Sequence, residues 1–256
     1  MKLSQVALQC YTIRDHCQTE AEFAKSMARV AAIGYRAVQI SAIGPIEPKR
    51  VRAICDDHGL TICATHEDGK QIVSDPNPLI EKLGVLGCRD TAYPWPAIEH
   101  TAAGYLELAE KLVVAVERFA EAGLRLSYHN HALEFVRYGY GTPMDMLFKR
   151  VPEMGFELDT YWIQYGGASP ADWCVKCAGR LPLLHLKDFA VLDNSTIVMA
   201  AVGDGNLNWP DIITKAEASG CEWLIVEQDR HWQDDDPFVA ATRSFDFIRD
   251  HLVEKN

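Results

Sequence analysis

Short apolar runs alternate with longer amphipathic ones from one end of the chain to the other, and the alternation repeats eight times. The strand-like runs are LSQVALQC (3–10), AVQISA (37–42), TICATHE (61–67), RDTAYPW (89–95), RLSYHNH (125–131), GFELDTYW (155–162), LPLLHLKDF (181–189) and EWLIVEQD (222–229). Between them lie helical stretches such as EAEFAKSMARVAAIG, EPKRVRAICDDHG, PLIEKLGVLG, GYLELAEKLVVAVERFAEAG and WPDIITKAEASG. Several close on a glycine suited to a helix C-terminus. In AAIGYRAVQI, EAGLRLSYHN and EASGCEWLIV the glycine stop and a short turn feed the next buried strand. This order implies βα units around a parallel sheet. An open dinucleotide-binding sheet is the main competitor, but no GxGxxG follows the first strand. The glycines of GDGNLNW (203–209) precede a helix near the end of the chain, outside the fingerprint's context. Eight units therefore predict an α/β fold closed into a (β/α)8 TIM barrel. With 256 residues and no Pro/Gly/Ser-rich linker, the expectation is a single domain over 1–256.

Composition narrows the function classes. Hydrophobic residues make up 48% and charged residues 24%, ordinary for a folded globular chain. No apolar run approaches the ~20 residues of a membrane span, and MKLSQVALQCY lacks the apolar core of a signal peptide, so the expected compartment is cytoplasmic. Lysine and arginine total 25 against 36 acids, a formal charge of −11. Such a field repels polyanions, and no nucleic acid or membrane partner is expected. The eight cysteines are scattered and read as reduced core thiols, including the unpaired CxxC at Cys174 and Cys177.

Ionisable residues at the C-terminal ends of the last four strand runs carry the chemistry, because (β/α)8 enzymes keep their sites at that mouth. Asp159 closes GFEL, Glu227 closes WLIV, and in LLHLKDF alternation sends His185 and Lys187 to one side of the strand. The fifth segment, YHNHALEF, holds His129, Asn130, His131 and Glu134 within six positions. By period two His129 and His131 share a face, and Glu134 lies past the strand end, where it can fold back over the mouth. Spacing does not choose between His129 and Glu134 as the fifth-strand ligand; we favour Glu134, since a carboxylate suits a hard cation and leaves imidazoles for substrate hydroxyls or proton transfer. The expected metal set is Glu134, Asp159, His185 and Glu227 around one divalent ion, Mn²⁺, Mg²⁺ or Co²⁺, with Zn²⁺ admissible. Tyr11, Tyr93, Trp95, Trp162 and Trp232 are candidate mouth aromatics, and WQDDDP (232–237) reads as a solvated helix start.

The segments LQCYTIRD, YHNHALEF, LDTYW, HLKD, GDGNLNWPDI and VEQD together make the chain resemble the xylose-isomerase-like TIM-barrel superfamily of sugar phosphate isomerases and epimerases, over essentially its whole length. The resemblance implies an ion held by Glu, Asp, His and Glu, which carries over to Glu134, Asp159, His185 and Glu227. It also implies substrate contacts by Lys187 of HLKD and by His66 of ATHED. The chain departs from the pattern at Gln39 in AVQIS, where many members carry Glu; an amide cannot act as a base.

The expected reaction is isomerisation or epimerisation of a sugar or keto sugar, by proton abstraction beside a metal-polarised carbonyl through an enediolate. Glu134 and Glu227 are the expected acid/base pair with His129 assisting, and His66, His131 and Lys187 bind substrate. The alternative is a dehydratase or lyase acting on an inosose or 3-keto glycoside with the same ion, since YHNHALEF resembles those branches too. An endonuclease on this fold would need several zinc ions, more histidines and a basic groove; a non-catalytic sugar-binding barrel would show a damaged ligand set. No arginine or glycine-rich phosphate cradle is evident, which favours an unphosphorylated carbohydrate or polyol. Assembly into a homo-oligomer is compatible with this reading.

Overall fold

The computed structural model describes residues 1–139 and 141–253. Ten strands are present among them: β1 (Val6–Gln9), β2 (Ala37–Ile40), β3 (Thr61–His66), β4 (Asp90–Tyr93), β5 (Arg125–His129), β6 (Gly155–Asp159), β7 (Leu183–Leu186), β8 (Asp188–Val191), β9 (Ile197–Ala200) and β10 (Trp223–Val226). Eight of them close a barrel in the order β1-β10-β7-β6-β5-β4-β3-β2, while β8 and β9 form a separate two-stranded sheet. Every barrel neighbour is parallel, and the ring is sealed by β1 against β10, with Val6 opposite Leu224 and Leu8 opposite Val226. The expected (β/α)8 barrel is thus the observed one.

Helices α1 (Glu20–Ile33), α2 (Pro48–Asp57), α3 (Gly69–Ser74), α4 (Asn77–Leu86), α5 (Ala102–Glu121), α6 (Pro143–Arg150), α7 (Thr160–Tyr165), α8 (Pro170–Lys176), α9 (Trp209–Ala218) and α10 (Pro237–Phe247) connect the strands. Their starts are set by short polar side chains. Thr19 accepts from Glu22 N while the Glu22 carboxylate takes the Thr19 N–H, a reciprocal cap on α1. In WQDDDP, Asp236 caps α10 by accepting from Phe238 N. No helix among the described residues is long and apolar enough to cross a membrane.

Outward strand residues such as Val6, Leu8, Val38, Leu126, Phe156, Leu184 and Val226 pack under the helices in the main core. Inward residues form two levels. A small apolar plug of Ala7, Ala37, Cys63, Ala64, Leu183 and Ile225 fills the interior toward the strand starts. Two positions further along the same strands stand Gln9, Gln39, His66, His185 and Glu227. Since side chains repeat on one face every second residue, each polar group sits directly above an apolar one. The plug's alanines leave width for the long polar side chains of the next level.

All eight barrel strands are shorter than the runs read from the sequence, and three of the differences shape the site. The fifth run stops at His129 rather than 131. The sixth turns into helix at Thr160, because Asp159 Oδ1 accepts from Trp162 N and starts α7. The seventh breaks after Leu186, and the chain leaves the barrel through Lys187 into the β8–β9 hairpin. The apolar character of LPLLHLKDF runs through this break, so composition alone does not reveal it.

Asp188 anchors the excursion. Its carboxylate is fully buried and accepts from the backbone N–H groups of Phe189, Gly203, Gly205 and Leu207 and from Trp209 Nε1 at 2.7 Å. GDGNLNW is therefore a clasp around an aspartate, and Gly205 is required there: a Cβ would lie 2.3 Å from Asp188 Oδ1. All eight cysteines are free and buried. Burial pushes the thiols of Cys174 and Cys177 up to about 12, so this CxxC holds neutral packing groups.

Replacing Asp188 orphans several buried donors at once. Asp188→Ala is expected to lower unfolding free energy by on the order of 3 kcal/mol or more, measured by urea denaturation; a loss below about 1 kcal/mol would remove the clasp from the account of stability.

Candidate active site

The polar level of the barrel is one connected network. Glu157, on β6 two residues before Asp159, is wholly buried at its centre. Its Oε1 accepts from Gln39 Nε2 at 2.6 Å and lies 3.4 Å from His185 Nε2; its Oε2 pairs with His66 Nε2 and lies 3.3 Å from His129 Nδ1. The three imidazoles crowd together, with ring centroids 4.7 Å apart for His129 and His185 and 5.0 Å for His66 and His129. Burial alone would raise the Glu157 carboxyl, but the charges of His185 and His66 outweigh it and hold the group well below the ordinary carboxylate range.

Above this layer lie the strand-end groups. His185 Nδ1 is 3.0 Å from Glu227 Oε2 and 3.9 Å from Asp159 Oδ2. Donor atoms of His129, Asp159, His185 and Glu227 all fall within 4.8 Å of one another. Asp159 reaches this point because Asn130 Oδ1 accepts its backbone N–H and its own Oδ1 caps α7, which leaves Oδ2 aimed into the cluster. That oxygen is buried and accepts no hydrogen bond among the described residues. An orphaned carboxylate oxygen within a buried His/Asp/Glu set fits a bound cation, and the four groups could hold one metal ion. Burial depresses His129 to about 4 despite Glu157 nearby, whereas the carboxylates of Glu157 and Glu227 hold His185 well above the ordinary imidazole value.

Lys187 is 1% exposed, with its Nζ 3.0 Å from Glu227 Oε2, 2.8 Å from Asp229 Oδ2 and 3.6 Å from Asp159 Oδ2. Burial would strip its proton, but the charges of Glu227, Asp159 and Asp229 prevail and keep it an ammonium. Over these groups opens a cavity of about 460 Å³ whose walls include His66, His129, His131, Lys187, Glu227 and Asp229 with Tyr11, Trp95 and Trp162. His131 stands edge-on to Trp95 at 4.6 Å, and burial, with the Lys187 ammonium adding to it, holds its pKa well below the ordinary imidazole value.

Of the residues singled out from the sequence, Asp159, His185 and Glu227 converge with His129, and His66, His131 and Lys187 line the cavity with them. Glu134 does not join them. It lies in a single 3₁₀ turn, Ala132–Phe135, where Tyr128 Oη donates to its Oε1 at 2.8 Å and His131 N to its Oε2 at 2.7 Å. Both oxygens are engaged in fixing the bend after β5, and of the two fifth-strand candidates it is His129 whose donor atom lies with those of Asp159, His185 and Glu227. Tyr93 and Trp232 also leave the mouth: Tyr93 is buried and stacked on Tyr128, and Trp232 Nε1 donates to Gln228 O. Glu157, Gln9 and Asp229 went unread in the sequence. Glu157 had a legible signal, an acid two positions before Asp159 and hence on the same inward face.

The fold and this cluster define a TIM barrel with a metal-competent site at the C-terminal mouth. A sequence profile of the xylose isomerase-like TIM barrel family matches residues 27–251, and the chain belongs to that family. The rhizopine catabolism protein MocC of Rhizobium meliloti is 22% identical over 252 residues, spanning 84% of this chain and 77% of its own. A sugar phosphate isomerase/epimerase from Parabacteroides distasonis superposes with a TM-score of 0.83 at 22% identity, covering 98% of this chain and 96% of its own. An L-ribulose 3-epimerase gives a TM-score of 0.72 at 16% identity, with 96% and 93% covered.

Glu134 separates a structural from a ligand role. Asp159→Asn is expected to weaken Mn²⁺ binding, measured by calorimetry, by more than the roughly 10- to 100-fold typical of losing a supporting partner, whereas Glu134→Gln leaves it unchanged. Burial raises the Glu134 carboxyl from 4.5 to about 7, outweighing the Tyr128 hydrogen bond. A carboxyl raised on folding contributes stability that is present below its unfolded pKa and is lost as pH rises through its folded one. Glu134→Gln should therefore flatten the stability-against-pH curve between 4.5 and about 7, read from urea midpoints; an unaltered curve would assign that slope to other groups.

Proposed function

We propose that this protein is a divalent-metal-dependent enzyme of carbohydrate metabolism that moves a proton at a carbon next to a substrate carbonyl, yielding a sugar isomer or epimer. The observation that carries this reading is the buried quartet His129, Asp159, His185 and Glu227, with its orphaned Asp159 oxygen; His129 and Glu227 of this set also line the mouth cavity. A bound divalent ion supplies Lewis acidity toward a substrate carbonyl. Two imidazoles and two carboxylates suit Mn²⁺, Co²⁺ or Zn²⁺ better than Mg²⁺, which favours oxygen ligands and water.

The remaining work falls to side chains. Glu227 belongs to both the quartet and the cavity wall, and its carboxylate, against the effect of burial, is held ionised by Lys187 and His185. In this proposal it takes the carbon-bound proton, a role supported by its ionised state and its position on the cavity wall. The Lys187 ammonium is no base; it donates to a substrate oxygen and steadies the negative charge that gathers there on deprotonation. His66 and His131 offer ring nitrogens to hydroxyls, and Trp95 and Trp162 present faces for the apolar side of a sugar ring.

An unphosphorylated substrate fits this cavity. Lys187 is the one lysine or arginine among the described lining residues, and its charge is already engaged by Glu227 and Asp229. A phosphate entering here would meet carboxylates. Elimination from an inosose or 3-keto glycoside is the second reading, favoured by the likeness of YHNHALEF to those branches; it shares the same first deprotonation.

Incubating Mn²⁺-loaded protein in D₂O with ketoses, inososes and 3-keto glycosides should place deuterium at the carbon beside the carbonyl of one of them. Product analysis then separates isomer, epimer and eliminated product. Glu227→Gln at saturating metal is expected to slow exchange by about 10²- to 10⁴-fold. Exchange at the wild-type rate in that variant would sink the assignment of the base, and no exchange with any substrate would sink the reaction class.

A further inference from the structure

The amides of Gln9 and Gln39 form a chain of fixed polarity. Tyr11 N is a donor only, so the Gln9 atom facing it at 3.3 Å is Oε1, and Gln9 Nε2 must point the other way. It donates to Gln39 Oε1 at 2.9 Å. At the far end, Gln39 Nε2 faces Glu157 Oε1 at 2.6 Å; a reversed Gln39 would set two acceptors against each other at that distance. Backbone at one end and carboxylate at the other therefore agree on one orientation, with Gln39 Oε1 turned toward His185.

His185 Nε2 lies 2.7 Å from that oxygen. Its other neighbour, Glu157 Oε1 at 3.4 Å, is also an acceptor. Both groups facing Nε2 call for a hydrogen there, whereas Nδ1 faces Glu227 and Asp159, the proposed ion-holding side. We propose that Gln39 is a positioning residue that fixes the tautomer and ring orientation of His185, so that Nε2 keeps its proton and Nδ1 is presented to a divalent cation. The departure at Gln39 noted in the sequence thus gains a function. Glu at 39 would press a second carboxylate onto Glu157 and remove the donor that sets the polarity. This inference rests on the reading of His185 as a metal ligand.

The test uses full-length protein, ¹⁵N-labelled at histidine and loaded with Zn²⁺, a diamagnetic probe. Long-range ¹H–¹⁵N correlation spectra should show one histidine with a protonated Nε2 and a metal-shifted Nδ1, a pattern lost in His185→Ala. Gln39→Leu and Gln39→Glu should each weaken Zn²⁺ binding by about 10- to 100-fold, measured by competition with a chromophoric chelator. Adding Glu157→Gln to Gln39→Glu reverses donor and acceptor between the two positions and should recover most of the loss. Ligation of His185 through Nε2 in the wild type overturns the proposal even if the variants fail to fold. So does Gln39→Leu binding Zn²⁺ as tightly as wild type. A wild type that binds no Zn²⁺, Mn²⁺ or Co²⁺ defeats the metal reading itself, a result distinguishable from either of these.

Discussion

Glu157 imposes the strongest constraint on this barrel. An ionised carboxylate removed from water is sustained only by partners that supply hydrogen bonds and positive charge, and here every partner comes from a different strand: Gln39 from β2, His66 from β3, His129 from β5 and His185 from β7. Meeting its needs orients three imidazoles around one point. The level above inherits that order, because His129 and His185 belong both to the set around Glu157 and to the one that includes Asp159 and Glu227. Floor and site are one electrostatic unit.

Closure of the barrel makes this unit geometrically available. The parallel register brings Asp159 opposite His185 and His129 opposite Glu157, so groups far apart in sequence stand at neighbouring heights. Below them the buried apolar plug fills the interior and keeps polar groups out of it. Low local dielectric strengthens each of the charge contacts above it. Lys187, just past the end of β7, offsets the carboxylates there, with Asp229 helping to steady its ammonium.

Much of this arrangement was legible in the sequence for definite reasons. Alternating apolar and amphipathic runs dictated the barrel, and acids or histidine closing those runs marked Asp159, His185 and Glu227. Glu134 stands apart from the cluster although its distance from β5 suited a side chain folding back; only the 3₁₀ turn reveals that both its oxygens accept hydrogen bonds locally, from Tyr128 and His131. Glu157 escaped notice because attention to strand ends passes over a charged residue inside a strand, although alternation gave its direction. The β8–β9 hairpin was hidden by the unbroken apolar character of 181–189. Its cause, five donors gathered on Asp188, involves residues up to 209 that no local window joins to it.

The cysteines carry a consequence of another kind. All eight are buried, and burial raises the thiols of Cys17, Cys55 and Cys88, like those of the CxxC, to about 12. Alkylating agents attack the thiolate and need access to it, so the native molecule presents almost nothing to them. Reaction then requires a structural opening, and because the sulfurs are spread from Cys10 beside β1 to Cys221 before β10, each reports the opening of its own region. The chain carries an unlabelled map of its local unfolding, readable by mass spectrometry as the order in which its sulfurs become modified.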